Sequence, residues 1–134
     1  MNKKFVISSL VMGFASLMLG FVVHALLLKS DYSRLPNLYR PEAQAQAYFG
    51  FMLLAHLLIG IGLTWIYRRG HEAGKGVLVQ GARFGAAIAV VSTIPVFLIY
   101  FAVQPVPSDL VAQQIFFDSI GMVGLGVIVA WLNK

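Results

Sequence analysis

Asp118 is a carboxylate near the middle of a long apolar run, and His24 and His56 lie inside two further runs of the same kind. An ionisable side chain placed in hydrocarbon is costly enough to mark a functional position by default. At about 1.5 Å of rise per residue, Asp118 lies roughly 13 Å, His56 roughly 12 Å and His24 roughly 7 Å below one membrane surface. Gln114 stands one turn from Asp118 on the same helical face, and His56, Gly60 and Thr64 share a face of their own. This arrangement predicts a polar pocket open to that surface, floored by Asp118 and His56 with His24 nearer its mouth. Burial and a neighbouring histidine act on such a carboxyl in opposite senses, the condition for a group that changes protonation near neutral pH. The same residues also suit a ligand-free clasp, in which Asp118 holds a histidine and ties helices together. The sequence leaves both readings open.

Two histidines inside a bundle also suit axial ligation of haem. Gly20 precedes His24 by four residues and Gly60 follows His56 by four, so each ring has a gap beside it. The mismatch in depth, roughly 5 Å, counts against both histidines meeting one iron within a single chain. No other cofactor and no metal is expected. Catalytic constellations are missing: there is no serine–histidine–acid spacing, no H-E-x-x-H and no glycine-rich phosphate loop. With no cysteine, thiolate chemistry and disulfides are excluded. His71 and Glu72, beside Arg68, Arg69 and Lys75, read as a solvated turn.

The elements that must carry these side chains are four apolar stretches, at about 5–28, 41–69, 77–103 and 109–132. Each is long enough to cross a bilayer as a helix, which takes about 20 residues. Of the 134 residues 59% are apolar and 11% charged, and the mean hydropathy is +0.81, so the runs face lipid and each other rather than water. The opening Met1-Asn2-Lys3-Lys4 followed by an apolar run resembles a secretory signal, but the run is about twice a signal core in length and is read as an uncleaved first span. Pro41 and Glu42 suit the start of the second helix, and Ser108 suits the cap of the fourth. Pro95 should kink the third, with Ser92, Thr93 and Gln104 available to satisfy the freed backbone.

Small residues form stripes: Ser9, Gly13, Ser16 and Gly20 in the first run, Gly81, Gly85, Ala89 and Ser92 in the third, and Gly121, Gly124 and Gly126 in the fourth. Such stripes let backbones approach closely where lipid gives no hydrophobic drive for association. They fit either packing within one chain or a seam between copies. The expected fold is an all-α membrane protein, one domain of four transmembrane helices in a compact up-down-up-down bundle.

The net charge of +5 sits at the ends of the runs, which points to lipid headgroups rather than nucleic acid. Lys3, Lys4, Arg68, Arg69, Lys75, Arg83 and Lys134 mark one side, against Lys29, Arg34 and Arg40 on the other. By the positive-inside rule both termini are cytoplasmic. Arg83, within the first turns of its helix, is expected to snorkel to the inner headgroups. The segment from Lys29 to Arg40 interleaves Tyr32, Leu35, Leu38 and Tyr39 with charge, which suits a stretch lying along the headgroups, either as a linker or as a lid.

Several short stretches, Leu35-Pro36-Asn37-Leu38-Tyr39-Arg40, Trp65-Ile66-Tyr67-Arg68-Arg69-Gly70, Gln80-Gly81-Ala82-Arg83-Phe84-Gly85 and Gln104-Pro105-Val106-Pro107, together resemble a family of small bacterial four-helix membrane proteins of unknown function. The resemblance implies a bacterial inner membrane and carries no activity with it. Two functions follow as expectations. One is a non-enzymatic bundle that joins a homo-oligomer or a membrane-protein partner. The other is a small binding protein or transporter using the pocket around Asp118, His56, His24 and Gln114. A haem-binding electron carrier is a third, lesser expectation.

Overall fold

In the computed structural model, which describes residues 2–134, every regular element is helical. The four apolar runs become α1 (Lys3–Leu27), α3 (Glu42–Arg69), α4 (Val77–Val103) and α5 (Ser108–Leu132), each long and apolar enough to cross a membrane. A short α2 (Lys29–Ser33) follows α1 almost without a break. Asn2 caps α1 by accepting a hydrogen bond from the Lys4 N–H at 3.0 Å. At the other end of the chain Pro107 occupies the capping position of α5, so Ser108, the expected cap, is instead the first helical residue.

Two of the spans are locally widened. α1 ends in a π-helical stretch, Phe21–Leu27, and α4 contains another, Ala89–Thr93. The second directly precedes Pro95, whose missing N–H interrupts the ladder there. Ser92 Oγ donates to the Ile88 carbonyl at 2.7 Å, one of the side-chain bonds that make such a break tolerable in lipid. The first π stretch contains His24, and it turns that ring away from the register a regular helix would give it.

The stripes of small residues pack within the chain. Ser8 meets Thr64 at 3.4 Å, and a side chain on Gly60 would collide with the backbone of Ser9 and Gly13. α1 and α3 are therefore antiparallel and in backbone contact. α4 and α5 are joined in the same way: a side chain on Gly81 would lie 2.6 Å from Val127 Cα, and Gly85 and Gly126 abut one another. The two pairs meet through α1 and α5, where Leu19 packs on Gly121 and Asn133 Nδ2 donates to Ser8 Oγ at 2.8 Å. One apolar cluster (Met12, Leu63, Tyr67, Leu125, Val129, Ala130) fills the end of the bundle holding the termini. A second (Val23, Leu28, Val106, Leu110, Val111) fills the other end, with Leu35 and Leu38 folded against it.

The order across the molecule is thus α3, α1, α5, α4, and the outer two hardly touch. The compact bundle expected from sequence is corrected here to one that is open along a side. The glycines explain why. They lie on the faces turned to α1 and to α5, whereas the sides of α3 and α4 that face each other carry Phe49, Met52, Ile59, Val96 and Phe97.

Candidate functional site

The opening between α3 and α4 is a cavity of about 1070 Å³ whose back wall is formed by α1 and α5. That volume is at the upper end of ordinary ligand sites, roughly 300–1,000 Å³. Its walls are mostly apolar, with Leu17, Phe21, Phe49, Met52, Phe97 and Leu125 among them. His24, His56 and Asp118 all line it, and Tyr32, Tyr39, Glu42 and Gln46 border it toward the α1–α3 connection.

Asp118 is paired with His24, not with His56 at its own estimated level. His24 Nε2 lies 3.2 Å from Asp118 Oδ2. Side chains on a helix lean toward its N-terminus. In the antiparallel α1 and α5 the two residues therefore lean toward each other, which closes the separation that a count of residues along the axes suggests. His24 Nδ1 lies 2.6 Å from the Tyr32 hydroxyl, and Gln114 Nε2 donates to that same hydroxyl at 2.9 Å. One arrangement of protons satisfies the whole chain. Gln114 donates to Tyr32, Tyr32 donates to His24 Nδ1, and the His24 Nε2 edge faces the Asp118 carboxyl at 3.2 Å. This relay joins α5, α2 and α1 in a single network.

Gln114 is buried and supports the relay from behind without lining the cavity. Tyr32, which sequence reasoning placed only in a headgroup-level segment, is its central member. Burial pushes the Tyr32 phenol up from its ordinary 10 to about 12, so it remains a donor throughout the neutral range. Tyr39 stacks edge-on against Tyr32 with ring centroids 4.7 Å apart, and burial raises its phenol too. The segment from Lys29 to Arg40 therefore covers one end of the cavity. Arg34 holds that cover down, bonding Asp31 beside it and reaching Asp109 at the start of α5 at 3.5 Å.

His56 stands apart from the relay, with Nδ1 2.9 Å from Ser16 Oγ on α1. Its ring sits beside Gly20, where a Cβ would be 3.5 Å from Cε1. For haem the relevant fact is that both ring nitrogens of His24 are already engaged, so axial ligation would require breaking one of those bonds. Among the described residues no group of three or more His, Cys, Asp or Glu is placed to hold a metal ion.

Arg83 lies at the far end of the molecule, in a niche of about 200 Å³ with Tyr67, Glu72, Lys75 and Gln80. There Gln80 and the Glu72 backbone exchange two hydrogen bonds, at 2.8 and 3.1 Å, which fix the α3–α4 loop. The Lys75 ammonium bonded to Glu72 holds its carboxyl below the usual range. That niche is a closed turn, with its Glu72 and Lys75 charges already paired. No protein-family model, curated protein or solved structure matches this chain, and the resemblance carried by its short membrane motifs therefore brings no activity to the site.

Proposed function

We propose that this chain is a non-enzymatic membrane binding protein that takes an amphiphilic ligand from the bilayer through the gap between α3 and α4. The observation that carries the reading is the cavity itself. Apolar walls converge on His24, His56 and Asp118, and the opening lies between two helices long and apolar enough to span a membrane, α3 and α4. A molecule entering there arrives through lipid, lays its chain along Phe49, Met52 and Phe97, and sets its head against the polar back wall.

In this reading both termini lie in the cytoplasm of a bacterium, and the covered end of the cavity faces outward across the inner membrane. The support is the greater number of basic residues at the end where Lys4 Nζ bonds the Lys134 carbonyl at 2.7 Å. Nucleic acid has no place in it, since the basic residues mark the membrane boundaries.

Native mass spectrometry of the protein released from zwitterionic nanodiscs tests the proposal. The expected result is a retained small amphiphile that is lost in Ala25→Trp or Ala45→Trp, both of which fill the cavity. A wild type without such an adduct, whose melting is also unmoved by added amphiphiles, overturns it.

A second reading, a subunit of a larger membrane assembly, draws on the same opening. α3 and α4 hardly touch, and a helix about 10 Å across could lie between them. The same spectra decide: an added polypeptide or a second copy supports this reading, and a monomer in several mild detergents removes it.

A further inference from the structure

Two lone pairs face the cavity with no protein donor to meet them. Ser16 Oγ lies 2.9 Å from the Gly13 carbonyl oxygen and 2.9 Å from His56 Nδ1. A carbonyl cannot donate; with the single Ser16 proton given to Gly13, a neutral His56 ring carries its own proton on Nδ1. His56 Nε2 is then an acceptor. It has no hydrogen-bond partner among the described residues, and it lies beside Gly20, where a Cβ would stand 3.6 Å away.

Asp118 supplies the second acceptor. Its Oδ2 faces His24, while its Oδ1 takes no hydrogen bond from any described residue. Neither Lys nor Arg lines the cavity. The relay uses the donors of Tyr32 and His24 internally, so they are not offered to a ligand.

Resting on the cavity as a ligand site, we propose that the ligand is a single-chain amphiphile with a hydrogen-bond-donating head, a protonated primary amine, set on Asp118 with His56 Nε2 as second acceptor. An ammonium carries three donors and the opposite charge, so it satisfies Oδ1 and Nε2 and neutralises the site. A neutral alcohol meets one acceptor and leaves the charge. An ester or ketone head meets neither, and a carboxylate or phosphate adds like charge beside Asp118.

The test uses dodecylamine, dodecan-1-ol, methyl dodecanoate and dodecanoate with the intact protein in zwitterionic nanodiscs, read by native mass spectrometry against the Ala25→Trp background. Dodecylamine is expected to bind about tenfold or more tightly than methyl dodecanoate, with the alcohol between them. Asp118→Asn should remove most of the preference for the amine while leaving the ester unchanged, and His56→Phe should weaken the amine and the alcohol together. Methyl dodecanoate or dodecanoate bound as tightly as dodecylamine overturns the proposal, and that comparison needs only the wild type. The two levels separate cleanly. If all four probes bind alike and Ala25→Trp abolishes them, the cavity is a site but its head-group selectivity is not as proposed. If none binds above the Ala25→Trp background, the cavity reading itself falls.

Discussion

His24 Nε2 and Asp118 Oδ2 stand 3.2 Å apart across the α1–α5 contact, and this pair joins the two tightly packed halves of the molecule at the level of the cavity. The pair is half-open to the cavity, so its contribution is smaller than that of a sealed ion pair. Asp118→Asn keeps an acceptor for the His24 N–H and sheds the ionisation cost, and should melt close to wild type. Asp118→Leu leaves that N–H without a partner and should lose about 1–3 kcal/mol. Thermal melting in a mild detergent compares the three proteins, and a Leu variant as stable as the Asn variant would contradict the pairing.

Glycines on the same helix should respond to the same substitution with opposite signs. Alanine is favoured over glycine in a helix interior by about 0.5–1 kcal/mol where nothing interferes. Nothing lies within 4 Å of a side chain built on Gly62 or Gly124, so Gly62→Ala and Gly124→Ala should be neutral or slightly stabilising. Gly60 and Gly126 abut backbone atoms of the neighbouring helix, which cannot move aside as a flexible side chain can. Gly60→Ala and Gly126→Ala should therefore destabilise by more than about 1 kcal/mol. Equal effects at Gly60 and Gly62 would mean that α1 and α3 do not meet as described.

The four spans are legible in the sequence because lipid demands a run of apolar residues with its hydrogen bonds closed internally. The stripes around Gly13, Gly81 and Gly126 are legible for a similar reason, although whether they pack within or between chains is decided only by which helices are neighbours. The pairing of Asp118 with His24 is hidden from a count of residues. That count places the two about 6 Å apart in depth, and it omits both the lean of side chains toward the helix N-terminus and the π turn around His24. Tyr32 is hidden because its segment reads as a surface connection. A signal was present: neither Gly nor Pro separates His24 from Tyr32, so two continuous turns bring them to one face. The lateral opening is not legible at all, since it depends on bulky residues of α3 and α4 facing each other across a gap that neither helix specifies alone.

The orientation proposed from the basic residues gives a topological prediction. The chain has no cysteine, so Asn37→Cys and Ala73→Cys each introduce a single thiol, in connections at opposite ends of the bundle. In intact bacterial cells a membrane-impermeant maleimide should label the Asn37→Cys protein and spare the Ala73→Cys protein until the membrane is opened. Labelling of the Ala73→Cys protein alone in intact cells would reverse the orientation and put the covered end of the cavity on the cytoplasmic side.

Tyr32 offers the sharpest test of the relay, because its hydroxyl is the link between Gln114 and His24. Tyr32→Phe keeps the ring that packs on Tyr39 and removes both hydrogen bonds, so the loss, about 1–3 kcal/mol, reports on polar pairing rather than packing. The pH dependence provides an independent sign. Burial raises this phenol from 10 to about 12, so the folded state holds its proton more firmly than the unfolded chain does. The stabilisation that this shift represents is fully present below pH 10 and is lost as pH rises through about 12. Wild type should therefore lose stability faster than Tyr32→Phe between those two values, and the gap between their melting temperatures should narrow. A gap that stays constant across that range would show that the Tyr32 phenol is not buried as described.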